Sequence, residues 1–207
     1  MKENKMKYAI ICGSHRQNSE SLNVGYYLKH QIEKNKEDKA TILDLASSNI
    51  PLWDESIWEG DPKWDQIWGD HSEMLAESEA VIIVTPEWNG MVTPTLKNFF
   101  LLCSSGELAH KPGLIVSISG GRGGTYPVSE LRMSSYKNTY LCYIPDHIII
   151  RNVSEFFNDF EQSESKEESY LRDRIDYSLS ILKEYGKGMN IVRSSQKVDL
   201  QTYPYGM

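Results

Sequence analysis

The chain has 207 residues, a composition typical of globular proteins and a formal net charge of −7. This acidic balance argues against a nucleic-acid partner or an anionic membrane surface, both of which normally require a basic face. No apolar run approaches the ~20 residues that span a bilayer, and the charged N-terminus lacks a signal-peptide core. We therefore expect a cytoplasmic protein that folds as a single domain over residues 1–207, with a core of about residues 7–189 and an irregular tail from residue 190.

Short apolar runs alternate along the chain with segments of helical spacing. The runs predict strands at residues 7–12, 40–45, 80–85, 111–119 and 140–150, the last interrupted at Pro145–Asp146. Helical spacing predicts helices over about residues 21–35, from Pro62, from Pro94 or Thr95, over 125–138 and over 171–185. The acidic, serine-rich segment 161–168 is predicted to be an exposed connection. This alternation predicts an α/β fold, a flavodoxin-like doubly wound parallel sheet of five strands in the order 2-1-3-4-5, with helices on both faces.

The cysteines give no sign of a disulfide or a metal site. Cys12, Cys103 and Cys142 form no close pair and have no metal-ligand spacing. Each lies in an apolar context, so we expect each to pack as a small buried hydrophobic residue.

The segment Gly13–Ser21 follows the first strand and opens the first helix. The free N–H groups and the positive dipole end of a helix favour an anion at such a loop. Gly13 permits a sharp turn, and Arg16 offers a forked cationic donor. The hydroxyl donors of the loop are Ser14, Ser19 and Ser21. We expect this loop to hold the phosphate of a cofactor; the alternative is a solvated turn in which Ser21 is the helix N-cap.

Two further irregular segments follow the third and fourth strands. They are Pro86-Glu87-Trp88-Asn89-Gly90 and Gly120-Gly121-Arg122-Gly123-Gly124. In the order 2-1-3-4-5 the first, third and fourth strands are neighbours, so the three loops should converge on one crevice at the carboxyl ends of the strands. The chain has neither a G-x-G-x-x-G turn after the first strand nor a P-loop, which favours a flat cofactor with a single phosphate. Taken singly, the two segments could equally be an ordinary turn and a flexible loop.

With these residues, the chain resembles the NAD(P)H-dependent FMN reductases of the flavodoxin-like fold, which include quinone, chromate and azo-dye reductases. The resemblance covers about residues 7–148. It rests on Gly13-Ser14-His15-Arg16 with Ser19, on Pro86-Glu87-Trp88-Asn89, on Leu96-Lys97-Asn98, and on Lys111-Pro112 leading to Gly120-Gly121. It implies bound FMN, NADPH or NADH as the reductant, a small-molecule electron acceptor such as a quinone, and a homodimer or homotetramer. It implies no catalytic side chain, because the flavin carries the chemistry.

The resemblance also assigns the residues of the cofactor site. Those expected around the phosphate are Ser14, Arg16, Ser19, Glu20 and Ser21. Those expected along the flavin ring are Pro86, Glu87, Trp88, Asn89 and Gly90 on one side, and Ser119, Gly120, Gly121 and Arg122 on the other. Two positions depart from the family pattern. Trp88 stands where the family usually has tyrosine, and the Glu20 carboxylate would repel a phosphate unless it points outward or pairs with a base.

Other interpretations of the sequence stay open. The same fold serves electron carriers that have no NAD(P)H activity of their own. A serine hydrolase that uses Ser14 and His15 is a weaker alternative, because no G-x-S-x-G elbow is present. The irregular segment 47–60 carries Trp53 and Trp58, which are expected either to anchor the segment against the body of the protein or a partner subunit, or to line a substrate cleft. Beyond residue 150 the resemblance fades.

Overall fold

The computed structural model describes residues 5–104 and 106–206. Its strands are β1 (Lys7–Cys12), β2 (Lys39–Asp44), β3 (Ala80–Pro86), β4 (Pro112–Ile118) and β5 (Cys142–Ile150). They form one parallel sheet in the order β2-β1-β3-β4-β5, which confirms the predicted flavodoxin-like topology. Every residue of the central strands β3 and β4 is buried, which explains their continuous apolar runs.

Helices cover both faces of the sheet. They are α1 (Glu20–Glu33), α2 (Lys63–Glu77), α3 (Pro94–Leu102), α4 (Thr125–Met133) and α5 (Lys166–Arg193), with short 3₁₀ turns at Glu55–Ile57 and Val153–Glu155. One hydrophobic cluster joins a face of the sheet to α1 and α5, and a second joins the other face to α2, α3 and α4. In the described part of the chain, no helix combines the length and apolar character needed to cross a membrane.

The C-terminal third differs most from the expectation. Helix α5 begins at Lys166 and continues to Arg193, so the irregular tail starts at residue 194 instead of 190. Glu168, expected in an exposed connection, is only 1% exposed and pairs with Arg172 at 2.6 Å. The serine and glutamate residues of segment 161–168 led to the prediction of a loop. In the structure Ser165 is the N-cap of α5, and its hydroxyl accepts the N–H of Glu168. Helix α4 is shorter than predicted and ends at Met133.

Strand β5 is continuous across Pro145, where a break was predicted. Gly113 pairs with Tyr143, whereas Ile115 pairs with His147, so β5 carries extra residues around the proline. Because β5 is an edge strand, the missing N–H of Pro145 can be accommodated at this irregularity.

The cysteines in the described residues are free thiols. Cys12 and Cys103 are buried as predicted, and burial raises the pKa of both thiols. Cys142 opens the edge strand β5 and is only half-buried, so the expectation of a buried residue is wrong there.

Candidate functional site

The three loops predicted to converge do meet at the carboxyl ends of β1, β3 and β4. The N–H of Gly13 donates to the carbonyl of Val84 at 2.8 Å, and the Thr93 hydroxyl donates to the carbonyl of Gly13. A Cβ at Gly13 would lie 3.0 Å from the Leu96 side chain, so a glycine permits this close approach. On the other side, the N–H of Glu87 donates to the carbonyl of Ile118 at 3.0 Å.

The loop after β1 presents hydroxyl groups at the N-terminus of α1. Ser19 is the N-cap and accepts the N–H of Leu22 at 3.3 Å, so the alternative of Ser21 as the cap is wrong. Ser14 and Ser21 are both 1% exposed. The Ser14 hydroxyl accepts the N–H of Arg16 at 3.1 Å. The Ser21 hydroxyl has no partner among the described residues, and such an orphaned buried donor is costly unless a ligand satisfies it.

The two charges of this loop are exposed. Arg16 forms no side-chain hydrogen bond or ion pair with any residue that the structure describes. Glu20 is the first residue of α1 and is likewise exposed, with no ion pair among residues 5–104 and 106–206. A carboxylate in the first turn of a helix interacts favourably with the helix dipole, which accounts for Glu20 without a basic partner.

The loop after β3 is a tight hairpin turn. Trp88 and Met91 exchange two backbone hydrogen bonds of 3.0 and 2.9 Å. Asn89 and Gly90 adopt positive φ angles of 50° and 72°, the conformation that makes Asn-Gly typical of type I′ turns. The turn leaves the Trp88 ring half-buried, with the His15 ring edge-on to it at 4.6 Å between ring centroids. His15 Nδ1 also lies 3.0 Å from the hydroxyl of Thr95.

The loop after β4 is held by a carboxylate from the neighbouring loop. Glu87 accepts the N–H of Gly124 at 2.7 Å and that of Tyr126 at 3.2 Å, so its side chain binds the N-terminus of α4. The Ser119 hydroxyl accepts the N–H of Gly121 at 3.2 Å. Gly120 and Gly121 are exposed, and a Cβ at either position would meet no atom within 4 Å. The glycine loop therefore leaves open space beside the backbone.

Two residues after β5 that the sequence analysis did not single out form hydrogen bonds to this loop. Arg151, directly after β5, donates its Nε to the carbonyl of Arg122 at 2.8 Å. The N–H of Asn152 donates to the carbonyl of Gly121 at 3.0 Å. Both positions lie just beyond residues 7–148, over which the motifs of the resemblance extend, so no motif pointed to them.

The segment after β2 is attached to α3 by Asn98, a residue of the Leu96-Lys97-Asn98 motif. The Asn98 side chain accepts the N–H of Trp53 at 2.7 Å and donates to the carbonyl of Pro51 at 2.8 Å. The ring centroids of Trp53 and Trp58 lie 4.8 Å apart, and the Trp58 side chain is 64% exposed. The segment is therefore anchored to α3. It leaves the indole ring of Trp58 in solvent, in the loop that follows the carboxyl end of β2.

Comparison with known proteins shows the family to which the chain belongs. Residues 6–154 match the family described as NADPH-dependent FMN reductase. The chain belongs to this family. It is 25% identical to the NADPH azoreductase of Bacillus sp. (strain OY1-2) over 146 residues, which cover 70% of this chain and 76% of the relative. It is 27% identical to a quinone reductase of Pseudomonas putida over 180 residues, or 84% and 94% of the two chains.

Solved structures of flavoenzymes share the fold of this FMN reductase family member. FerB, an NAD(P)H:(acceptor) oxidoreductase from Paracoccus denitrificans, superposes with a TM-score of 0.69 at 17% identity, covering 89% of this chain and 98% of FerB. The apo form of the NADH:FMN oxidoreductase EMOB gives a TM-score of 0.64 at 15% identity, covering 84% and 88%. At these identities the likeness extends to the fold alone.

The residues of the crevice fit the FMN of this family. The loop after β1 offers an unpaired guanidinium on Arg16, an orphaned buried hydroxyl on Ser21 and the free N–H groups that begin α1, all of them donors that suit a phosphate. The loops after β3 and β4 offer the flat side chain of Trp88 and the open backbone of Gly120 and Gly121. Donors without partners at one end and open space at the other match a molecule with one phosphate and a broad ring.

Proposed function

We propose that this protein binds FMN in the three-loop crevice and uses NAD(P)H to reduce quinones or similar small electron acceptors. Relatives named as a quinone reductase and an NADPH azoreductase support this acceptor class. The observation that carries the proposal is the orphaned hydroxyl of Ser21 at the N-terminus of α1, in a loop whose Arg16 side chain is exposed and has no described partner. When bound, FMN supplies hydride transfer between the nicotinamide and the acceptor.

The chain's own residues then have distinct tasks at the phosphate. Arg16 neutralises part of its charge and donates in a forked geometry. The hydroxyls of Ser14, Ser19 and Ser21 donate to its oxygens; Ser19 can do so while capping α1, because a hydroxyl both accepts and donates. Glu20 borders this group from the exposed start of α1.

At the ring, the protein provides shape and hydrogen-bond donors. Trp88 forms one wall, set at its angle by the turn through Asn89 and Gly90 that follows Pro86. The backbone of Ser119, Gly120, Gly121 and Arg122 borders the opposite side, and N–H groups there can stabilise negative charge on the ring. Glu87 acts as a positioning residue, since its carboxylate ties the two loops together through Gly124.

We further propose that the protein assembles as a homodimer or homotetramer. In support, a cavity of about 550 Å³ opens between α3 and α4. Two of its lining residues are exposed apolar side chains, Leu101 at 56% and Met133 at 78% exposure, and Met91 on the turn before α3 is 49% exposed. Exposed large apolar side chains at the rim of a cavity are a common feature of interaction sites. The free thiols support a cytoplasmic location, because reducing compartments keep cysteines unpaired.

A spectrum and one anaerobic titration test the proposed function. The purified protein should be yellow, or become so with FMN, and the flavin absorbance should bleach when NADPH or NADH is added without oxygen. A quinone added next should restore the absorbance. If the protein takes up no FMN, the proposed FMN site is wrong. A protein that binds FMN but oxidises neither nucleotide without a partner enzyme is an electron carrier instead of a reductase.

A further inference from the structure

The arginines of the chain divide into two groups by their partners. The seven are Arg16, Arg122, Arg132, Arg151, Arg172, Arg174 and Arg193. Four use their terminal nitrogens: Arg132 and Arg193 donate to backbone carbonyls, while Arg172 and Arg174 pair with Glu168 and Asp146. The terminal nitrogens of Arg16, Arg122 and Arg151 have no partner among the described residues, and all three arginines follow strands at the carboxyl edge of the sheet. Unpaired guanidinium groups in a chain of net charge −7 point to anionic ligands at this edge.

Arg122 and Arg151 form a unit of their own at the β4–β5 end of the crevice. Arg151 Nε donates to the Arg122 carbonyl at 2.8 Å, and the next residue, Asn152, donates its N–H to the Gly121 carbonyl at 3.0 Å. These bonds hold the two residues side by side on exposed backbone. Arg151 still has two terminal amino groups available after its bond through Nε.

The phosphate of FMN cannot occupy both basic sites. The proposed phosphate site of Arg16 follows β1, whereas Arg151 follows β5, and β3 and β4 lie between these strands. Neighbouring strands are about 4.8 Å apart, so three intervals separate the two sites by roughly 14 Å. FMN has one phosphate group, so an anion bound by the basic pair at β4–β5 would have to come from another molecule.

We propose that Arg122 and Arg151 bind the 2′-phosphate of NADPH and thereby give the enzyme a preference for NADPH over NADH. A phosphate monoester presents several oxygens that forked guanidinium groups match, and arginine accommodates the 2′-phosphate in other dinucleotide sites. NADH has a hydroxyl at this position and leaves both cations unneutralised. This proposal rests on the proposed function, since it places the nicotinamide nucleotide over the same crevice.

The first experiment measures nucleotide preference in the holoenzyme. In Arg151→Gln and in Arg122→Gln, the ratio of the KM for NADPH to the KM for NADH should rise about tenfold, the effect of losing one charge-assisted contact of ordinary strength. Arg151→Lys, which retains the charge without the fork, should give a smaller rise. The control Lys36→Gln removes the same charge from an exposed turn before β2, at the amino ends of the strands. It should leave the ratio of the two KM values as in the wild type. An equal rise in both KM values, or no rise, overturns the proposal.

The second experiment needs neither bound flavin nor turnover. Calorimetry on the apoprotein compares adenosine 2′,5′-bisphosphate with adenosine 5′-monophosphate. The bisphosphate should bind more tightly to the wild type, and this advantage should disappear in the Arg122→Gln, Arg151→Gln double variant. Equal affinities of the wild type for the two nucleotides overturn the 2′-phosphate site, whatever the outcome of the flavin titration. A bisphosphate advantage in a protein that takes up no FMN would contradict the proposed function and leave the anion site standing.

Discussion

The carboxylate of Glu87 accepts the backbone N–H of Gly124 at 2.7 Å, across the gap between the loops that follow β3 and β4. The same Oε2 atom accepts the N–H of Tyr126 at 3.2 Å, so one side chain holds the start of α4. A negative charge at a helix N-terminus is doubly favourable, because it satisfies free donors and faces the positive dipole end. The relative position of the two loops that flank the proposed ring site therefore depends on Glu87.

Replacing Glu87 should loosen both loops. Because hydrogen bonds to a charged acceptor contribute about 1.5–3 kcal/mol, Glu87→Ala should lower the free energy of unfolding by about that amount and weaken FMN binding. Glu87→Gln retains one acceptor oxygen and should give an intermediate loss. Denaturant unfolding of the apoprotein and fluorescence titration with FMN measure the two effects. The control Glu73→Ala removes an exposed carboxylate of α2, and a loss as small as the control's would refute the positioning role.

Arg16→Ala tests the phosphate end of the site. The variant should weaken FMN binding by about 10- to 100-fold, the equivalent of one charge-assisted contact of ~1.5–3 kcal/mol. Its stability without FMN should stay near the wild-type value, because the Arg16 side chain has no described partner to lose. The control Lys36→Ala removes a positive charge far from the loop. Wild-type FMN affinity in Arg16→Ala would exclude Arg16 from the site.

Ser21→Ala and Ser19→Ala should change stability in opposite directions. Removing the orphaned Ser21 hydroxyl relieves an unsatisfied buried group, so the apoprotein should become more stable by about 1 kcal/mol. Removing the N-cap hydroxyl of Ser19 should lower stability by about 1 kcal/mol. Both variants should bind FMN more weakly than the wild type. Thermal unfolding of the two apoproteins and FMN titration check these signs; a destabilised Ser21→Ala would mean that its hydroxyl serves the fold.

Asn98→Ala should release the tryptophan-bearing segment after β2. The substitution deletes both side-chain bonds that hold Pro51 and Trp53. Hydrogen exchange should then accelerate at the Trp53 amide and its neighbours over residues 50–58, while the strands keep their protection. Gln66→Ala, an exposed position on α2, provides the control. An unchanged exchange rate at Trp53 would show that contacts of the ring itself hold the segment.

The pair of Glu168 and Arg172 predicts a dependence of stability on pH. Burial acts to raise the pKa of Glu168, but hydrogen bonds from the Glu164 N–H, from Arg172 and from the Phe157 N–H hold this pKa below its ordinary value. As the pH falls, the unfolded state therefore takes up the proton first. The stabilisation from this carboxylate is complete above its unfolded pKa of about 4.3 and disappears as the pH drops through the lower folded pKa.

Glu168→Gln should accordingly lower the free energy of unfolding by about 3 kcal/mol at neutral pH, since it leaves the largely buried side chain of Arg172 without its counter-charge. The difference from the wild type should shrink below about pH 4. Denaturant unfolding at several pH values, with the exposed neighbour in Glu167→Gln as control, measures it. A difference that stays constant from neutral to acid pH would contradict the assigned pKa direction.

The sequence by itself determined the sheet and the places where the loops meet. Burial on both faces leaves a continuous apolar run in each central strand, and the strand–helix alternation permits only a few right-handed topologies. The order of the strands then brings three loops together at the carboxyl ends of neighbouring strands: Gly13–Ser21, Pro86–Gly90 and Gly120–Gly124. Asn89-Gly90 also predicts its own turn, because the required backbone conformation is encoded locally.

Only the tertiary structure decided which groups those loops have left to offer. The sequence predicts Glu87 as a ring contact, and the tertiary structure adds that its carboxylate accepts the N–H of Gly124. Glu168 looked like a surface charge, yet it is buried against Arg172. Arg151 carried no motif and lies beside Arg122 only because β5 ends next to β4. Local patterns report periodicity and turn chemistry, whereas the partner of a polar side chain depends on backbone brought close by residues distant in the chain.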